Sequence, residues 1–167
     1  MKRTLVLLLL IGLFTGQAQE NEEMLLGKIS LSDLQKGPYS DWFVSNFEKY
    51  KVKDAKAGNL KNLLEGVDIK IFMGTWCSDS QREVPRFYKI MNALGYPLDG
   101  IELFALDREK TGPDNLEKGF DIQRVPTFIF YKDGEALGRI VEYPIESLET
   151  DMMKILSGKA YQHAYAE

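Results

Sequence analysis

The chain has 167 residues, 44% of them hydrophobic and 28% charged, which is the range of one ordinary globular domain with one core. Its formal net charge is −4, and without Lys2 and Arg3 the 21 basic residues fall to 19 against 25 acidic ones, a net charge of −6. That balance disfavours nucleic acid as a partner, and the interspersed charges read as a solvated surface.

Lys2 and Arg3, an apolar run from Leu5 to Phe14, and Gly16-Gln17-Ala18 have the three parts of a secretory signal, with cleavage expected after Ala18. The run is well short of the roughly 20 residues that span a bilayer. Residues 1–18 are therefore read as a signal peptide, and the mature protein as exported, periplasmic or extracellular, with no stable membrane insertion. Residues 19–59 form an N-terminal extension in which Ser40-Asp41 can cap an amphipathic helix carrying Trp42, Phe43, Phe47 and Tyr50. These aromatics read as packing residues, and 51–58 as a polar connection.

From Leu60 the pattern becomes regular. Leu60, Leu63 and Leu64 mark a short helix stopped by Gly66, and Val67 to Met73 is a strand rich in branched residues. Val84, Phe87, Tyr88, Met91 and Leu94 recur at helical spacing, and Ile101 to Leu106 is a second strand. Strand, helix and strand in that order imply a right-handed parallel crossover. Asp114 can cap a helix running through Leu116 and Phe120. Thr127 to Tyr131 and Leu137 to Val141 flank Asp133-Gly134, a strong hairpin signal. Pro144 opens a last helix with Ile145, Leu148, Met152 and Ile155 inward. The expected fold is α/β, βαβ followed by ββα, a central mixed sheet with helices on both faces, and 159–167 is expected to be a frayed tail.

Cys77 is the only cysteine. Exported domains usually hold cysteines in disulfide pairs, so an unpaired one is either an inert buried thiol or a reactive group. Its place between a strand and a helix decides for reactivity, because the first N–H groups of a helix have no internal partners and favour an anion. Cysteines at helix N-termini titrate at roughly 3.5–7.5, against about 8.5 for a free thiol, and the thiolate is the nucleophile.

Phe72-Met73-Gly74-Thr75-Trp76-Cys77 resembles the strand and Trp-Cys active-site turn of the thioredoxin family. Pro85 lies where that family has a helix-kinking proline, Arg124-Val125-Pro126-Thr127 is similar to its cis-proline loop, and Asp133-Gly134 lies in its hairpin. The resemblance covers residues 60–158 and implies a thioredoxin fold with Cys77 as nucleophile, Trp76, Ser78, Asp79 and Ser80 as the active-site turn, and Val125 and Pro126 as a substrate-binding edge. By the same resemblance, the backbone of Val125 would pair with an extended peptide. Three positions depart from the family pattern. Ser80 stands where the resolving cysteine would be, Ile71 replaces the buried acid, and Leu103 replaces its lysine partner.

What remains is half of thiol–disulfide exchange: Cys77 attacks a disulfide, and release needs a thiol from the substrate or from a small molecule. The expected activity is a monothiol oxidoreductase or isomerase without cofactor, its partner a protein or small molecule carrying a thiol or disulfide. The alternative is a non-catalytic module that binds or retains clients through the cis-proline groove. Ser80 could hydrogen-bond the sulfur or only fill space, and Asp79 would oppose a nearby thiolate. Four residues separate Cys77 from Arg82, one fewer than in a phosphatase-type loop, and Gly74 occupies the position where a peroxiredoxin has Thr or Ser. The sole histidine, His163, lies in the tail, so neither a Cys-His pair nor a metal site is expected. The carboxylates show no acid–base spacing and read as solvated.

Overall fold

The computed structural model describes residues 24–166. The expected signal peptide lies outside the described residues. Among the described residues, no helix is long and apolar enough to cross a membrane. The elements are β1 (Gly27–Ile29), α1 (Leu31–Leu34), α2 (Ser40–Lys49), α3 (Asp54–Leu63), β2 (Val67–Met73), α4 (Ser78–Leu94), β3 (Glu102–Ala105), β4 (Thr127–Lys132), β5 (Glu135–Val141) and α5 (Leu148–Leu156).

The strands form one mixed sheet in the order β1-β3-β2-β4-β5. β2 and β3 are parallel, joined by α4, whereas β4 pairs antiparallel with both β2 and β5. Asp133 and Gly134 both take positive φ, 52° and 82°, as a tight I′-type hairpin turn requires. Gly95 at φ 72° ends α4 in the left-handed conformation that glycine adopts without a Cβ penalty. The expected βαβ and ββα halves are therefore present, and they meet at β2, the central strand.

Alternation along the strands divides the core. Ile69 and Ile71 of β2, Leu103 of β3, Phe128 and Phe130 of β4 and Ile140 of β5 pack with residues of α1 to α5 in one large cluster. Phe72 and Ile129 point to the opposite face, where they meet Leu106, Val125, Phe104, Leu116 and Phe120. Helices thus gather on one face, and the other is covered by the irregular segment between β3 and β4. The helix expected from Asp114 through Phe120 is absent. Only a 3-10 turn at Pro113–Asn115 forms, because Asp114 and Asn115 take φ of 57° and 54°, which a right-handed helix cannot continue.

Four other expectations change. β1, unanticipated, joins the sheet edge beside β3. α3 begins at Asp54, so the expected boundary between 59 and 60 falls inside a helix. The last helix begins at Leu148 and not at Pro144: Ser147 caps it by accepting from the Thr150 N–H at 3.2 Å, and Ile145 is 51% exposed instead of inward. The tail is held against the domain, with the Tyr161 hydroxyl donating to Asp151 at 3.1 Å and the Tyr165 ring 4.6 Å from the Arg124 guanidinium.

Candidate active site

β2 runs from the core to Gly74, where the chain turns. An added Cβ at Gly74 would lie 2.6 Å from Cε2 of Trp76, so glycine is required by the close approach of that ring. The Trp76 Nε1–H donates to the Leu106 carbonyl at 2.9 Å, fixing the indole across the ends of β2 and β3. Cys77 closes the turn by donating its N–H to the Gly74 carbonyl at 3.0 Å, and it is the N-cap of α4, with φ −89° and ψ 122°. Ser78 opens the helix, which then runs for 17 residues with Pro85 inside it.

Cys77 is partly exposed, and its sulfur faces the second loop of interest. Cys77 Sγ donates to the Val125 carbonyl at 3.2 Å, and the Val125–Pro126 peptide bond is cis. That contact belongs to the protonated thiol, since a thiolate has no hydrogen to give. The loop is braced on both sides: Thr127 Oγ1 donates to the Arg124 carbonyl at 2.7 Å, and the Glu142 N–H donates to the Pro126 carbonyl at 2.7 Å. Cys77, Trp76, Val125 and Pro126 are therefore brought to one end of the sheet, 48 residues of chain closed by one sulfur contact.

Of the two roles expected for Ser80, it fills space in the core and adds a backbone contact of its own. It is fully buried, and its Oγ accepts from the Gly74 N–H at 3.2 Å. The hydroxyl ties the end of β2 to the first turn of α4. Asp79 is engaged by Arg82, which also donates through Nε to Glu83 at 2.7 Å, so the carboxylate next to the turn has a counter-charge of its own. Ile71 and Leu103 are register partners on β2 and β3, 0% and 1% exposed, and lie in the helix-side core. No ionisable group stands at either position.

Several contributors were not legible in the sequence. Gln81 braces the turn by donating from Nε2 to the Thr75 carbonyl at 2.7 Å, and Thr75 Oγ1 accepts from the Leu25 N–H at 3.1 Å. Glu142, which holds Pro126 through its backbone, has φ of 65°, and a sequence pattern carries no signal for that. Not all the carboxylates are solvated, contrary to expectation. Glu83, Glu149 and Asp151 are 3%, 0% and 0% exposed. Each is satisfied, as a buried charge must be: Glu83 by Arg82 and Arg86, Glu149 by the Tyr50 hydroxyl and Lys53 N–H, and Asp151 by the Ile145 and Glu146 N–H groups and Tyr161. Burial and the Glu149 contact push the Tyr50 hydroxyl well above its ordinary range. Among the described residues, no group of three or more histidine, cysteine or acidic side chains could hold a metal ion.

No protein-family model matches the chain. A thioredoxin of Staphylococcus haemolyticus is 30% identical over 90 residues, covering 53% of this chain and 81% of the relative. Thiol-disulfide oxidoreductase ResA of Bacillus cereus is 29% identical over 184 aligned positions, covering 92% of this chain and 94% of the relative. Among solved structures, a Pseudomonas aeruginosa protein of unknown function superposes with a TM-score of 0.54 at 17% identity, over 78% of this chain and 81% of that one, a likeness of fold alone.

Proposed function

This chain belongs to the thioredoxin family, and from that premise we propose that it is a thiol–disulfide oxidoreductase working through Cys77 alone. The observation that carries this reading is the arrangement at the turn. Cys77, the helix N-cap, is partly exposed with its sulfur against Val125, while position 80 holds a buried hydroxyl committed to Gly74.

In the forward step the Cys77 thiolate attacks one sulfur of a substrate disulfide. A Cys77–substrate disulfide forms, the substrate S–S bond breaks, and the second substrate sulfur leaves as a thiolate with the electron pair. The Cys77 thiol first loses its proton to water, which ends its hydrogen bond to the Val125 carbonyl, and the helix dipole at the start of α4 favours the anion that results. The mixed disulfide is then attacked by a thiolate from the same substrate, giving isomerisation or reduction, or by a small thiol. Val125 supports this by offering its backbone to an extended substrate strand once the sulfur contact is released. Ser78 and Asp79 begin the helix, with Asp79 balanced by Arg82.

Incubation with oxidised glutathione is expected to add one glutathione per chain, read by intact mass, and Cys77→Ser to add none. Modification of the serine variant, or a native chain that stays unmodified while folded, would refute the assignment.

The reading includes export, supported by Lys2, Arg3, the apolar run and Ala18. N-terminal sequencing of the protein recovered from its native cells is expected to begin at Gln19; a chain beginning at Met1 in the cytoplasm would exclude export.

A further inference from the structure

Next to the Cys77 turn, the N-terminal extension borders an open pocket of about 160 Å³. Met24, Pro38, Tyr39 and Trp42 of the extension line it together with Thr75, Trp76 and Gln81 of the turn and α4. The pocket stops one residue short of the reacting cysteine. Trp76 precedes Cys77, and Gln81 lies one turn after it on α4, its N–H donating to the Cys77 carbonyl at 2.9 Å. The extension is fastened there by the Leu25 N–H to Thr75 Oγ1 contact, so its wall is built against the turn.

Size and chemistry select the occupant. The volume is close to the roughly 150 Å³ of a cavity that admits a benzene ring, here with Thr75 and Gln81 beside the aromatic residues and one side open to solvent. Tyr39 and Trp42 stand edge to face, with centroids 6.4 Å apart at 71°, and Trp76 adds a third aromatic side chain to the lining. The lining among the described residues includes no charged side chain, and the Arg108 guanidinium 5.1 Å from the Trp76 ring disfavours a cationic occupant. Polar groups here already have partners: Gln81 Nε2 donates to the Thr75 carbonyl at 2.7 Å, Thr75 Oγ1 accepts from the Leu25 N–H, and the Trp76 indole N–H donates to the Leu106 carbonyl. We propose that this pocket is a specificity subsite that takes an aromatic side chain of a client polypeptide, near the cysteine whose disulfide Cys77 attacks. The proposal rests on the exchange reading of Cys77.

Short peptides with one cysteine, activated as mixed disulfides with 5-thio-2-nitrobenzoate, test it on the full mature chain. The Cys77 thiolate bonds to the peptide sulfur, the S–S bond breaks, and the aryl thiolate leaves with the electron pair and is read by its absorbance. Phenylalanine is placed at successive positions on either side of the cysteine, with alanine at the same positions for comparison. At least one phenylalanine peptide is expected to react about tenfold faster than its alanine counterpart. Trp42→Ala, and separately Met24→Ala at the pocket rim, are expected to bring that ratio close to one. Equal rates for every pair, with the alanine peptides still reacting, would overturn the subsite and leave the exchange reading standing. A preference that survives both substitutions would place it elsewhere and overturn the proposal equally. If no peptide reacts, the exchange reading fails and the subsite with it.

Discussion

Ser80→Cys is expected to make the protein release a bound partner by itself, where the native chain holds it as a mixed disulfide. Position 80 lies in the first turn of α4, three residues beyond Cys77. Side chains at that spacing stand about 5–6 Å apart at Cβ, and a disulfide needs roughly 3.5–4.5 Å, so a small adjustment at the N-cap brings the sulfurs together. A thiol held inside the site acts at an effective concentration far above that of any free thiol. Release of glutathione from Cys77 in thiol-free buffer is therefore expected to rise by at least about a hundredfold. The variant has a cost: sulfur is a weaker acceptor for the buried Gly74 N–H, a loss of about 1 kcal/mol. It also has a ceiling, because Ile71 and Leu103 offer no group to take the proton from the introduced thiol. An unchanged release rate, with the variant shown to be folded by its circular dichroism, would mean that position 80 is not what stops the cycle.

Gly74→Ala is expected to destabilise the domain by about 1–3 kcal/mol, the range for forcing extra volume into packed surroundings. The new methyl would lie 2.6–2.9 Å from three atoms of the Trp76 ring, so the indole must leave its place. Its hydrogen bond to Leu106 goes with it, and the cover over the Cys77 turn shifts. Urea unfolding measures the loss. The same substitution in a Trp76→Ala background is expected to cost under about 1 kcal/mol, since the clash partner is gone. An equal cost in both backgrounds would place the requirement for glycine in the backbone and not in the ring.

Much of the site is legible in the amino-acid sequence because each part has a strong local cause. The branched residues of β2, the helical spacing from Val84 to Leu94 and Asp133-Gly134 each specify their own element. What escapes is set by contacts across the chain. β1 is three residues long, too short for alternation to register, and exists because β3 offers an edge. The first turns of α3 are polar and carry no apolar stripe in the sequence. Asp114 is a good helix cap by type, yet it adopts positive φ, and Asn115 does the same. Tyr161 and Tyr165 read as tail residues, but rings with polar tips find Asp151, Glu142 and Arg124 once the fold brings them near. Ser80 is the most instructive case. Its identity is visible in the sequence, whereas its bond to Gly74 follows from how β2 meets α4.

If Cys77 performs half of an exchange and waits for a second thiol, the lifetime of its mixed disulfide is set by that thiol. Native protein is loaded with one glutathione at Cys77, stripped of free thiols, and followed by intact mass while reduced thiol is titrated in. The mixed disulfide is expected to persist without thiol and to disappear at a rate proportional to the thiol added. Loss at the same rate with no thiol present would contradict the single-cysteine account.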